Sequence, residues 1–186
     1  ISGLGQTFRI NYTDEQHKLF WFIIIASIPA LLVGFFFRDI ISYYLRNPLV
    51  ISFTTIFFGL LLWLSDKVGK QHRAINTIGN KDALLIGFSQ ILAFIPGTSR
   101  SGITITMGLF LGLDRETAAK FSFFLSVPII SAAALFEFLN LIQSDASIDV
   151  LNFTVTVFLS TISSFITIYL FLKFINKIGM LPFVIY

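Results

Sequence analysis

Apolar residues in this chain run in long blocks, without the strict alternation or one-sided stripe of a soluble fold. Residues 20–37, 121–142 and 150–172 form blocks of 18, 22 and 23 positions, and 49–64 forms a shorter one of 16. A helix needs about 20 predominantly apolar residues to cross a bilayer core. The pattern therefore predicts four spanning helices, the second leaning on its flanks to complete the crossing. Two further apolar pieces are too short to span. Residues 83–95 and 103–113 have 13 and 11 positions. As helix they rise only about 20 Å and 17 Å at roughly 1.5 Å per residue, against a hydrocarbon core of about 30 Å. The stretch between them, 96–102, reads PGTSRSG. Two half-length helices broken at Pro and Gly predict a re-entrant hairpin over 83–113. Irregular backbone at that depth is tolerated only against protein or a wet cavity, and such interrupted segments point to a midplane binding site.

Loop charges set the orientation. With a hairpin that enters and leaves on one side, Arg9, Lys18, Lys67, Lys70, Arg73, Lys81, Arg115, Lys120, Lys173 and Lys177 collect on one face. The other face holds Arg38 and Arg46, and its second loop, 143–149, has two aspartates and no base. Ten against two makes the basic face cytoplasmic by the positive-inside rule. Two full spans in place of the hairpin would leave both ends on the same side, so the short lengths, not the charges, argue for re-entry.

Composition agrees with a lipid environment. Hydrophobic residues are 55% of the chain and charged residues 12%, about half the charged fraction of a soluble domain; mean hydropathy is +0.85. A net charge of +3, distributed by topology, makes no case for nucleic acid. The absence of cysteine excludes disulfides and thiolate metal sites and leaves the redox compartment unread. The fold class expected is an all-α polytopic membrane bundle, one integral membrane domain over 1–186. Ile1 is not a methionine, and Tyr186 stands inside LPFVIY, a stretch suited to opening a helix. The chain is expected to be truncated at both ends.

The chemistry sits in PGTSRSG. Pro96 and Gly97 end the first half-helix and allow a tight reversal. Ser99 or Ser101 can cap the second half-helix, whose first amides lack internal partners. Gly102 permits close approach of a ligand to the backbone. Free N–H groups at the positive end of a helix form an anion site, and Arg100 adds a planar fork that matches two phosphate oxygens. Thr104, on the first turn, could add a hydroxyl. A capped turn with a snorkelling arginine is the bland alternative. Yet Arg100 is more than twelve residues from either end of the hairpin, and an intramembrane charge is a functional hypothesis by default.

The segment GFSQILAFIPGTSRSGITI, 87–105, resembles the second signature of the undecaprenyl-diphosphate phosphatases, the bacitracin-resistance family, whose hallmark is PGxSRSG. KFSFFLSVPI, 120–129, is similar to the family's FSFLLAxP stretch, and LPFVIY, 181–186, to the segment before its last helix. The resemblance covers nearly the whole chain from about residue 20. It implies hydrolysis of undecaprenyl diphosphate to the monophosphate at the outer face of the plasma membrane, on an inverted-topology repeat with two re-entrant hairpins. By position it implies Ser99, Arg100 and Ser101 as catalytic residues, with Gly97, Thr98, Gly102, Thr104 and Gln90 around the substrate phosphates. A divalent cation, Mg or Ca, is implied as cofactor. The implied partners are the polyprenyl diphosphate substrate and membrane lipid, with a homodimer left open.

One departure limits the site. The family's first signature, EGxTEFxPVSSTGH, with its glutamates, serine and histidine, is missing here, so a first re-entrant hairpin and a last helix are expected to lie outside this chain. Hydrolysis of a phosphoanhydride needs a nucleophile, proton transfer and charge neutralisation. Residues 83–113 contain no Asp, Glu or His. This hairpin can hold an anion but cannot activate water, and the chain alone is expected to be inactive. Two rivals stand beside the phosphatase: a transporter or lipid flippase with a midplane anion site, and a non-catalytic membrane scaffold. Elsewhere, Glu137 reads as an interfacial carboxylate, His17 and His72 as solvated residues, Asp114 as a cap, Pro29 and Pro128 as kinks, and Trp21 and Trp63 as interfacial anchors.

Overall fold

The computed structural model describes residues 14–45, 47–143 and 149–185. Arg9, Arg46, Asp145 and Tyr186, which entered the topology and boundary arguments, lie outside them, as does the side chain of Arg38. Long helices account for the apolar blocks: α1 (Asp14–Leu45), α2 (Pro48–Val68), α5 (Arg115–Gln143) and α6 (Val150–Ile178). Among the described residues these four are the helices long and apolar enough to cross a membrane, α1 over Gln16–Phe37. Each overruns its apolar block because a helix stops where its end groups find caps, not where lipid stops. Asn47 caps α2 through a hydrogen bond from the Leu49 N–H (2.9 Å), ahead of Pro48 at the first turn. Asp149 caps α6, and Asp114 accepts from the Thr117 N–H (2.7 Å) at the head of α5, as its sequence position suggested. Pro29 and Pro128 lie inside helices that run on past them. Residues 151–170 of α6 are exposed throughout, an apolar face suited to lipid.

The two short pieces are α3 (Asn80–Ser89), continued as a 3-10 turn through Phe94, and α4 (Arg100–Phe110). Both differ from the expected boundaries. The first arm tightens to 3-10 geometry after Ser89, and α4 starts three residues before 103. Arg100 is consequently the first residue of a helix and not part of the turn, because Ser99 has already closed the cap. A five-residue helix, α7 (Leu181–Ile185), ends the described chain.

One arginine shows how the arms close. Arg73 reaches Asp82 at the start of α3 (2.6 and 3.1 Å) and the Leu111 carbonyl at the end of α4 (2.9 Å). Its backbone also pairs with Leu113 as an isolated parallel bridge. Both ends of the hairpin are therefore held at one place. Burial pushes the Asp82 carboxyl up, but the Arg73 hydrogen bond, the Gly79 N–H and the Arg73 charge outweigh it and hold it below the usual carboxylate range.

Small residues let these helices pack closely, as membrane bundles require. A Cβ on Gly87 would stand 2.3 Å from the Ala26 carbonyl, so α3 runs backbone to backbone along α1. A Cβ on Gly108 would meet Ala118 at 3.0 Å, and Thr104 bonds Ser122 at 2.7 Å. Those two contacts set α4 antiparallel to α5. Phe121 and Leu125 of α5 and Leu109 of α4 are wholly buried in the shared core.

Candidate functional site

The depth of the turn follows from its contacts along α2. At one end, the backbone at Gly69 lies against Leu109, near the close of α4. At the other, the Thr54 hydroxyl donates to the Pro96 carbonyl (2.6 Å), and the Thr55 hydroxyl lies 3.1 Å from the Gly97 carbonyl. Fifteen residues of chain, roughly 22 Å at 1.5 Å per residue, separate the two levels. The tip is past the middle of α2, and about 9 Å from its Pro48 end on the same rise.

Gly97 makes this docking possible. Its φ is +90°, in the left-handed region that favours glycine. An added Cβ would also sit 2.4 Å from the Thr54 hydroxyl and 2.5 Å from the Ile51 carbonyl. Two residues on, the Ser99 hydroxyl accepts from the Gly102 N–H (3.2 Å) and lies 3.4 Å from the Ser101 hydroxyl. The sequence left Ser99 and Ser101 as equal candidates for the cap; Ser99 fills it. No hydrogen bond within the described residues engages the amides of Arg100 and Ser101. They are the free donors of a helix start.

The side chains divide into two groups. Ser99, Arg100 and Ser101 are exposed at the tip, and among the described residues the Arg100 guanidinium has neither a hydrogen-bond nor an ion-pair partner. Gln90 and Thr104 are each 2% exposed. The Thr104 hydroxyl faces Ser122 and the carbonyls of Arg100 and Ser101 (3.0 and 3.1 Å), so it ties α4 to α5 beneath the tip. Gln90 instead lines a small cavity of about 30 Å³ with Ala30, Ala93, Phe94, Arg100 and Ile129. The buried side-chain polar atoms without a partner among the described residues are Gln90 Nε2 and Thr98 Oγ1. Native interiors satisfy nearly all such groups. Here one exception precedes PGTSRSG and the other lies within it, one on each side of the turn at 96–97.

Chemically, the tip is rich in donors: a guanidinium, two backbone amides, a buried carboxamide and hydroxyls. It suits an oxyanion. It does not suit a divalent cation, which takes carboxylate and carbonyl oxygens. The cavity lining has no carboxylate, and no group of three or more His, Asp or Glu stands together among the described residues. Glu137 lies on the exposed C-terminal half of α5, and His17 and His72 are exposed, away from the tip. Thr54, Thr55 and Ser122 are the supporting residues that the sequence did not single out. Hydroxyls within an apolar block were their only signal, and hydroxyls there also bond their own helix, as Thr161 of α6 does to the Val157 carbonyl (2.7 Å).

Known proteins match this chain along its whole length. The family model described as bacitracin resistance protein BacA covers residues 1–186. Undecaprenyl-diphosphatase 1 of Pseudoalteromonas translucida is 46% identical over 100% of this chain and 70% of its own length. The undecaprenyl-diphosphatase of Teredinibacter turnerae is 49% identical over 94% of this chain and 66% of its own. That of Alteromonas mediterranea is 47% identical over 100% and 70%. The chain thus spans about two thirds of the length of these relatives. With four helices among the described residues apolar and long enough to cross a membrane, and the PGTSRSG turn held along the second of them, the chain belongs to the bacitracin resistance protein family.

Proposed function

We propose that the whole protein hydrolyses undecaprenyl diphosphate to undecaprenyl phosphate and inorganic phosphate, returning the lipid carrier to cell-wall synthesis. The observation that carries the reading is the donor-rich tip of the 83–113 hairpin, with Arg100, which has no partner among the described residues, at the first turn of α4. Relatives named undecaprenyl-diphosphatase support undecaprenyl diphosphate as the anion such a tip meets. Arg100 and the amides of Arg100 and Ser101 grip the phosphates, Ser99 and Ser101 offer hydroxyls at the same point, and Gly97, Thr98 and Gly102 shape the loop. Charge developing on the transferred phosphoryl oxygens is then met by donors already fixed in place, which need no reorganisation as the reaction proceeds.

The hairpin is re-entrant in this reading, entering and leaving on the cytoplasmic face of the plasma membrane. Its base carries Arg73, Lys81 and Arg115, and its tip stands nearer the opposite end of α2, so the site opens outward. Acid, base and any ligands for a divalent cation come from parts of the protein other than this hairpin. A second copy of the chain, as a homodimer, is compatible with the long exposed face of α6. The test is direct. In detergent or liposomes the whole protein should release inorganic phosphate from undecaprenyl diphosphate and leave the monophosphate; intact diphosphate after prolonged incubation would sink the reading.

The docking of the tip on α2 makes its own prediction. Thr54→Val leaves the Pro96 carbonyl without its partner and frees the loop to shift. A displacement on the order of 1 Å at reacting groups can lower a rate about a hundredfold. The expected result is a fall of about tenfold or more in kcat, with KM less affected, and recovery in Thr54→Ser, which keeps the hydroxyl. Equal loss in both variants would show that packing volume, and not the hydrogen bond, is what matters at this position.

A further inference from the structure

Beneath the tip, two hydroxyls on different helices are linked. Thr104 of α4 and Ser122 of α5 are 2% and 4% exposed, and their oxygens lie 2.7 Å apart. Burial fixes the direction of both protons. Among the described residues Ser122 Oγ has no other hydrogen-bond partner, and a buried donor is rarely left unmade. Its O–H therefore donates to Thr104 Oγ1. Thr104 has a single proton of its own, and that proton goes to the carbonyls of Arg100 (3.0 Å) and Ser101 (3.1 Å). None is left for a phosphate oxygen. The family resemblance set Thr104 among the residues around the substrate phosphates, but its hydroxyl is already committed.

Covalent geometry carries this contact to the tip. A trans peptide unit is a rigid plane in which the C=O of one residue and the N–H of the next point in opposite directions. The Arg100 carbonyl and the Ser101 N–H are the two ends of one such plane. That N–H is one of the two free donors at the start of α4. A hydroxyl that holds the carbonyl end also sets the amide end, and a hydrogen bond accepted by the carbonyl strengthens the N–H as a donor.

We propose that Ser122 and Thr104 are positioning residues for the reaction. They form a one-way row of hydrogen bonds, from the Ser122 O–H to the Thr104 O–H to the Arg100 carbonyl, that orients and polarises the Ser101 amide for the phosphate oxygen it meets. No proton changes hands; each hydroxyl keeps its own. The inference rests on the phosphatase reading and adds to it a residue on α5 that touches no substrate. One turn away on each helix, the close approach of Gly108 to Ala118 keeps the two hydroxyls within reach.

The test follows kcat, KM and the thermal midpoint of the whole protein in detergent, with undecaprenyl diphosphate as substrate. Thr104→Val keeps the shape, removes the hydroxyl and leaves the Ser122 O–H without its acceptor. Its kcat should fall about tenfold, part of the loss that follows removal of a whole oxyanion donor, while KM changes little. Thr104→Ser retains the hydroxyl and should recover most of the rate. Ser122→Ala should lower kcat less, by about threefold, in keeping with one neutral hydrogen bond. The double variant separates positioning from packing. Adding Ser122→Ala to Thr104→Val removes the orphaned donor, so the midpoint should rise. Its kcat should stay at the Thr104→Val level, because Ser122 acts only through Thr104. Recovery of kcat along with the midpoint makes the pair a packing contact and overturns the proposal. A further fall in kcat gives Ser122 a route of its own and overturns it too. If Thr104→Val fails to fold, Ser122→Ala decides: a lowered kcat at unchanged KM supports the row, and parental kcat overturns it. A parent protein that releases no phosphate sinks both this inference and the phosphatase reading. An active parent indifferent to the Thr104 hydroxyl sinks this inference alone.

Discussion

Arg100→Ala in the whole protein is expected to lower phosphate release from undecaprenyl diphosphate by about a hundredfold to a thousandfold, the range found when a fixed donor to a developing oxyanion is removed. The size of the effect follows from the position of the side chain. Its guanidinium has no partner among the described residues and is exposed at the tip of the hairpin. No ion pair or buried network collapses when it is shortened, so the thermal midpoint should move by no more than a degree or two. Loss of activity without loss of fold is the signature sought. Arg100→Lys refines the test. Lysine keeps the positive charge but gives up the planar fork that meets two oxygens at once. An intermediate rate, recovering part of the alanine defect, is the expected result. Full activity in Arg100→Ala would move the phosphate site away from α4 altogether. A large drop in thermal stability would instead make Arg100 a structural residue.

How far the sequence alone led can be seen at particular residues. The four spans and the short arms were legible because apolar block length is a one-dimensional property that lipid reads directly. Helix boundaries were not, since they depend on local caps: Ser99 draws the start of α4 back to Arg100, and Asp114 sets the start of α5. PGTSRSG could be recognised as an anion-binding turn because its residue types are few and contiguous. What holds it could not. Thr54 lies 42 residues from Pro96 in sequence, and nothing in SFTTIFF distinguishes a hydroxyl that docks a loop from one bonded to its own helix. Gln90 and Thr104 appeared alike as polar residues beside the motif. Packing separates them, giving Thr104 a buried partner on α5 and leaving Gln90 without one. The lock at the hairpin's base was illegible for the same reason: Asp66 is a lone carboxylate at the end of α2 until Arg115 arrives from 49 residues away.

That lock carries the largest stability effect expected in the molecule. Asp66 is 7% exposed and accepts from Arg115 Nε, from Arg115 Nη2 (3.1 Å), from Gln71 Nε2 (3.3 Å) and from the Met180 N–H (3.2 Å). A single carboxylate thus joins the end of α2, the head of α5 and the segment leading into α7. Removing one partner of a buried ion pair typically costs about 3 kcal/mol or more, because the other charge stays behind unpaired. Asp66→Ala should therefore lower the thermal midpoint in detergent by roughly 6–12 °C on the scaling for chains of this size. High salt should do little to mimic it, since Asp66 is shielded from solvent. The companion experiment replaces both members. Asp66→Leu combined with Arg115→Met leaves no orphaned charge, and should recover much of the loss, as apolar replacements of buried pairs often do. If the double variant is as unstable as Asp66→Ala, the contacts to Gln71 and Met180 outweigh the ion pair. If Asp66→Ala shifts the midpoint by less than a degree or so, the base is not locked by this residue at all. Because Arg100 stands about 20 Å from this level on the helical rise along α2, kcat at temperatures where Asp66→Ala remains folded should stay close to that of the parent protein. Stability would then be set at the base of the hairpin and phosphate chemistry at its tip, each measurable without the other.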